Sequence, residues 1–450
     1  MLANNAHFRM YKVVNQMEIK LQTEHHKHLI RTLLFLTPLS LAACGSSSKI
    51  KNVEENKFVE GSFGNDLIGP FETELWFRSN GGNDRILGSP GDDIIHLGGG
   101  ESSVKTYGGD DEIYLNNWGN QLDAGPDNDM LYVELSASST IIIDGTNEII
   151  YRENLLSSFN NEIANFENIN ASESSSNFKV LSTGSMTKIE TGIGNDTVAV
   201  SSYTADLDGG KGNDTIVFTI NSFGETTVIN LLEEIYQTQS GSDARALTNF
   251  ENIQIIGSND TNLIGDQNDN RISGGDGSDN IVGNSGYDIL DGGAGKDFFV
   301  FNSSDLSNEL DIILDFTAGN VGDVLLFNYE STLSSTGFSF RNLDLTSGGK
   351  KTLGTNTDIL FLTGSSYLSE VQVVSALNGL NGINEHRVQF QNSEQICLWE
   401  HSPSNSLKIS IISDSAQDGV FLDTINTIIQ LNGMGTEDFA MLNASNFQII

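Results

Sequence analysis

Two cysteines in 450 residues, Cys44 and Cys397, cannot staple a fold together, so no disulfide scaffold is available. Proline is nearly as scarce, at 5 residues, which excludes proline-rich and collagen-like architectures. Lysine and arginine number 23 against 60 aspartates and glutamates, a net charge of −37. Nucleic acid and anionic membrane surfaces are poor partners for a chain this acidic, and cations are good ones. No apolar run is long enough to span a bilayer as a helix. The zinc-protease pattern H-E-x-x-H, the G-x-S-x-G elbow and the P-loop are also missing, so the common hydrolase and nucleotide chemistries have no carrier.

What the chain does have is glycine, 46 residues, set between short runs of Ile, Val, Phe and Thr. Those are strand formers, and glycine at regular intervals marks turns, so the composition predicts an all-β protein. A hydrophobic share of 38% argues against disorder despite the charge.

The N-terminal segment reads as an address. Lys27, His28 and Arg31 precede the apolar run Leu33 to Ala43, which has signal-peptide length. His25-His26-Lys27-His28 belongs to that basic leader and is not read as a metal site. The run ends in Leu41-Ala42-Ala43-Cys44, which resembles a bacterial lipobox and implies cleavage before Cys44 and lipidation of its thiol. Gly45-Ser46-Ser47-Ser48-Lys49 follows as a polar tether. Five basic and two acidic residues precede Cys44, so the mature chain would carry 18 basic and 58 acidic residues. Intact mass of palmitate-labelled protein should show a lipid-bearing chain that begins at Cys44. Any other mature N-terminus would sink this reading.

From Gly61 onward the pattern G-G-x-G-x-D-x-U-x recurs with a period of nine, U being a large apolar residue. Gly209 to Val217, Gly274 to Val282 and Gly292 to Val300 carry it most cleanly. Asp66, Asp84, Asp93, Asp111 and Asp129 hold the aspartate position of a first stretch. Leu75, Ser102 and Asn120 replace it in units that keep the apolar position as Phe77, Val104 and Leu122. Asp196 and Asp214 mark a second stretch, with Leu207 in the apolar position between them. A third begins near Gly257, places Asn262 and Asn270 in the aspartate position, and continues with Asp279, Asp288 and Asp297.

Each unit is a three-residue strand and a tight turn. Strand alternation points U inward, so Ile272, Ile281, Leu290 and Phe299 stack into one interior. The turns gather backbone carbonyls and a carboxylate, the hard oxygen donors that suit Ca²⁺. A row of aspartates on successive turns repels itself without a cation, so folding is expected to be coupled to metal.

These nonapeptides resemble the repeats-in-toxin family, the hemolysin-type calcium-binding repeats. Asn249-Phe250-Glu251-Asn252-Ile253, echoed by Asn165-Phe166-Glu167-Asn168-Ile169, fits the resemblance. Asp311 to Phe316 and Gly322 to Phe327 are similar to the segment that closes serralysin-type C-terminal domains. The resemblance implies a right-handed parallel β-roll with two nonapeptides per turn. It implies calcium ligands at Asp66, Asp84, Asp93, Asp111, Asp129, Asp196, Asp214, Asp279, Asp288 and Asp297.

The expected organisation is a signal peptide with lipobox over 1–44, a tether over 45–60 and a first roll stack over 61–141. An irregular solenoid with the second repeat pair follows over 142–256, then a third roll with its closing segment over 257–330, then a C-terminal β-rich domain over 331–450. Short helices are expected near Leu231–Gln237 and Val371–Leu380. The chain end resembles that of exported repeats-in-toxin proteins. Cys397 sits in an apolar strand pattern and reads as a buried, inert thiol. With His96, His386 and His401 isolated from supporting groups, the chain reads as no enzyme. The expected role is a calcium-binding structural or adhesion-type protein, extracellular or anchored to a bacterial outer membrane through Cys44. A calcium-dependent, polysaccharide-active enzyme on a β-solenoid is the alternative.

Overall fold

A computed structural model describes most of residues 58–328, the short strand Lys49–Ile50, and mainly isolated strands beyond 328. The leader with Cys44 lies outside the described residues, as does most of Val371–Leu380.

The three-residue strands form because each carries one apolar side chain between two that can face water. Ser103–Lys105 is exposed, buried and exposed in turn, and in Arg85–Leu87 and Gln121–Asp123 the middle residue is again the buried one. Each strand pairs in parallel with the strand 18 residues on: Ile86 lies beside Val104, and Val104 beside Leu122. The intervening strands make a second ladder, in which Val59, Phe77, Ile95, Ile113 and Leu131 follow in register. Two nonapeptides therefore make one coil, and two long, parallel-rich sheets face each other. One continuous core runs between them, from Val59 to Phe447. The chain is an all-β solenoid.

The coiling starts upstream of the first glycine turn, in the segment read as a tether. Lys49–Ile50 pairs with Leu67–Ile68, and Phe58–Glu60 pairs with Trp76–Arg78. Ile50 and Val59 continue the nine-residue apolar spacing without any glycine motif.

Two hairpins interrupt the coils, within and at the edge of the stretch expected to be an irregular solenoid. Ile141–Asp144 turns back on Ile149–Arg152 as an antiparallel hairpin, and Asn161–Ala164 returns beside it, parallel to Gln121–Asp123. Thr227–Asn230, Ile235–Thr238 and Arg245–Thr248 repeat the device. The first hairpin widens one sheet and the second widens the other. The turns are chemically alike: Asp144 Oδ1 accepts the Asn147 N–H at 3.0 Å, and Asn230 Oδ1 accepts the Glu233 N–H at 3.0 Å. Glu148 and Glu234 then adopt left-handed φ of 57° and 56°. That side-chain turn stops any helix at Leu231–Gln237, where the structure has a turn followed by strand.

Near the far end, Thr424–Leu431 and Phe447–Ile449 add to the two sheets beside Asp311–Ile313 and Val324–Asn328. Asn446 is fully buried, and its amide donates to the carbonyls of Gly319 at 3.0 Å and Asp323 at 2.7 Å. These strands cover the last coil, as a solenoid end requires. Cys397 is fully buried and burial pushes its thiol pKa far up, which makes it a poor nucleophile.

Candidate metal centres of the roll turns

All ten predicted aspartates sit at the entry to a roll strand, and all ten are buried. Their carboxylates form ladders along the solenoid. Asp93 Oδ1 accepts the Leu75 N–H at 2.6 Å, Asp111 Oδ1 accepts that of Asp93 at 2.7 Å, and Asp129 Oδ1 accepts that of Asp111 at 2.8 Å. On the other sheet Asp84 Oδ1 accepts from Asp66 at 2.9 Å. In the middle stretch Asp196 accepts from Phe178 at 2.7 Å and Asp214 from Asp196 at 2.6 Å. In the third stretch Asp279 accepts from Thr261, Asp297 from Asp279, and Asp288 from Asn270.

In every one of these but Asp66, whose oxygens accept from Ser62 of its own turn, one carboxylate oxygen thus closes the backbone between coils. The second oxygen divides the set. Asp66 Oδ2 accepts the Ser62 N–H at 2.6 Å, Asp93 Oδ2 that of Ser89 at 2.7 Å, and Asp196 Oδ2 that of Gly192 at 3.0 Å. Asp84 Oδ2 accepts the Ser79 hydroxyl. At Asp111, Asp129, Asp214 and Asp279 the second oxygen is buried with no hydrogen-bond partner. The Thr106 hydroxyl near Asp111 is committed to the Ala124 carbonyl. A buried carboxylate oxygen left this way is strongly unfavourable unless a proton or a cation meets it.

The glycines keep that space open. A methyl group at Gly274, Gly283 or Gly292 would collide with Oδ2 of Asp279, Asp288 or Asp297, five residues ahead. Gly293 also needs φ of +88°, and a side chain there would strike the Gly275 carbonyl of the coil below.

Burial raises the aspartate pKa values, and neighbouring carboxylates add to it. Asp111, Asp129, Asp214 and Asp279 rise to about 7, and Asp93 and Asp297 to about 6. Asp84 and Asp196 are raised too, by burial first.

The ladders also run through residues to which the sequence reading gave no ligand role, including Ser102 and Asn120 in the aspartate position. Ser102, Asn120 and Asn161 continue one ladder through neutral oxygens. Asp311 and Asp323 continue others, accepting from Asp288 at 3.0 Å and from Asp297 at 2.9 Å. Thr261 and not Asn262 fills the aspartate position below Asp279; Asn262 lies one residue on, inside the strand, and donates to Gln239. A second ladder lies outside the first, on the residue before each aspartate. Asn65 Oδ1 accepts from Asn83 N–H, Asp92 from Asp110, Asp110 from Asn128, and Asn195 from Asn213. The recurrent Asn-Asp and Asp-Asp pairs were its visible signal. His96 is half-buried and stacks on Tyr114 with ring centroids 3.9 Å apart.

Among the described residues no three acidic, histidine or cysteine side chains converge on one point. Any cation here must draw on backbone carbonyls as well as carboxylates, as calcium readily does.

The family model of the RTX calcium-binding nonapeptide repeat matches this chain in four copies, within residues 76–104 and 257–303. Asp84, Asp93, Asp279, Asp288 and Asp297 fall inside those matches. A comparison with curated proteins finds no match. Fold, turn chemistry and family match together define a β-roll built on calcium-binding repeats. The same ladder geometry extends beyond the matched residues, through Asp111, Asp129, Asp196 and Asp214.

Proposed function

We propose that this chain is an exported structural or adhesion-type protein whose roll folds when it binds Ca²⁺ outside the cell. One observation carries the reading: the buried, unpartnered carboxylate oxygens at Asp111, Asp129, Asp214 and Asp279. Each needs a positive charge that the protein does not itself supply. Calcium is the cation the repeat family binds, and the donor set is entirely hard oxygen. The ligands would be Asp66, Asp84, Asp93, Asp111, Asp129, Asp196, Asp214, Asp279, Asp288 and Asp297, with turn carbonyls completing each shell. Within that set the four unpartnered carboxylates bind first, because serines or backbone N–H groups already serve Asp66, Asp84, Asp93 and Asp196.

The rest of the reading rests on sequence. Net charge of −37 keeps the calcium-free chain expanded where calcium is scarce. The lipobox-like Leu41 to Cys44 supports export and surface anchoring, and the absence of catalytic motifs supports a non-enzymatic role. In far-UV circular dichroism, protein in chelator at neutral pH should lack β-structure and gain it on calcium addition, with calorimetry giving several equivalents bound. Full β-structure in chelator, unchanged by calcium, would overturn the proposal.

A further inference from the structure

The two Asn-Phe-Glu-Asn-Ile motifs occupy equivalent places. Each follows a hairpin, and each brings the chain back onto the roll. At the first, Glu167 Oε2 accepts the Asp129 N–H at 3.0 Å. At the second, Glu251 Oε2 accepts the Asp214 N–H at 2.7 Å. Each glutamate therefore takes the place an aspartate holds elsewhere and ends its ladder. The flanking asparagines repeat as well. Asn168 donates its amide to the Asp129 carbonyl at 3.0 Å and to Asn128 Oδ1 at 3.1 Å. Asn252 donates to the Asp214 carbonyl at 3.0 Å and to Asn213 Oδ1 at 2.7 Å. Asn165 and Asn249, both with φ of 58°, reach Asp123 and Asp208.

With the junction amides so placed, one group at each junction lacks a partner. Asp129 and Asp214 are fully buried, and Oδ2 of each meets no donor. The glutamate beside each adds a second carboxylate to the same small volume. A cavity of about 400 Å³ opens beside Glu167, with Thr146, Glu148 and Ser185 among its polar walls and Ile163, Phe166 and Met186 among its apolar ones.

We infer that the two motifs build two junction calcium sites, Asp129 with Glu167 and Asp214 with Glu251, each pinning the chain to the roll where a hairpin ends. This rests on the calcium reading above, in which Asp129 and Asp214 already serve, and adds Glu167 and Glu251 as their partner ligands. A mixed aspartate–glutamate pair carries two formal negative charges, enough to neutralise one Ca²⁺, and the longer glutamate arm spans the break in coil spacing that the hairpin creates. The hairpins would then be held in place only when calcium is bound.

Glu167→Gln and Glu251→Gln keep the oxygen that accepts the aspartate N–H and remove the charge. Native mass spectrometry of the full chain at saturating calcium should count one ion fewer for each variant and two fewer for the double variant, with the circular dichroism of the loaded protein unchanged. Wild-type counts in both single variants would overturn the inference and leave the roll sites standing, because a purely structural cap tolerates Gln. Failure of the wild type to bind any calcium would overturn the roll reading and this one with it. If the double variant does not fold, each single variant still decides, since the other junction is intact.

Discussion

Calcium-free protein moved from about pH 8 to about pH 5 is expected to gain β-structure, the reverse of ordinary acid denaturation. The sign follows from the direction of the aspartate shifts. In the folded chain Asp111, Asp129, Asp214 and Asp279 titrate at about 7, and Asp93 and Asp297 at about 6, against 3.8 for an unperturbed aspartate. The folded state therefore binds these protons more tightly than the unfolded state does. That contribution to stability is complete below about pH 4 and is lost as pH rises through 6 to 7. A shift of this size is worth roughly 3–4 kcal/mol per carboxylate. Even half of that, over six carboxylates, is on the order of the whole stability of a domain, about 5–15 kcal/mol. Circular dichroism in chelator across this range is the measurement. A pH-independent spectrum would show that the buried aspartates do not govern folding.

Calcium should reverse the trend. Binding needs the ionised carboxylates, so it must displace protons wherever the folded aspartates hold them. Affinity then falls as pH drops below about 7, where Asp111, Asp129, Asp214 and Asp279 take up protons, while the loaded protein is most stable at neutral pH and above. Proton and calcium are alternative answers to the same buried oxygens. A compartment both neutral and poor in calcium offers neither, and there the chain has no means of closing its ladders.

Much of this was legible in the sequence because the solenoid writes its period into every coil. Phe77, Val104 and Leu122 kept the apolar position after the aspartate was lost, and all three are core residues. Legibility failed where the period changed. Glu167 and Glu251 lie 38 and 37 residues beyond the aspartates whose N–H groups they accept, because a hairpin intervenes, so no count of eighteen could find them. Leu231 to Tyr236 has a spacing that suits a helix, yet the Asn230 turn and tertiary pairing override it. Asn262 was misplaced by one residue because Thr261, an uncharged donor, stands where the motif wants aspartate. The outer ladder needed the structure for another reason: the motif marks that position as variable, although Asn65, Asp92, Asp110 and Asn195 each use it to accept an N–H from the next coil.

Phe299→Ala is expected to unfold the last coils and spare the first. Phe299 is fully buried, lies in register between Ile281 and Leu325, and packs against Phe316 with ring centroids 6.2 Å apart. Removing a buried phenylalanine ring costs about 3–5 kcal/mol, since parallel sheets on both faces leave little room for collapse. In a solenoid each coil is stabilised mainly by its neighbours, so the loss is felt locally. Hydrogen exchange on the calcium-loaded protein should show protection reduced by two to three orders of magnitude, on the order of 10²–10³, over residues 271–302. Protection over residues 76–133, in the first stretch, should stay within a few-fold of wild type. Equal loss in both regions would mean that the roll unfolds as one cooperative unit. The hairpins over residues 141–164 and 227–248 are the natural barriers to such cooperativity, because there antiparallel pairings interrupt the parallel ladder in first one sheet and then the other. Calcium at the junctions would tie each hairpin to the roll and bridge those barriers in part, so the difference between the two regions should narrow, and not vanish, as calcium is raised to saturation.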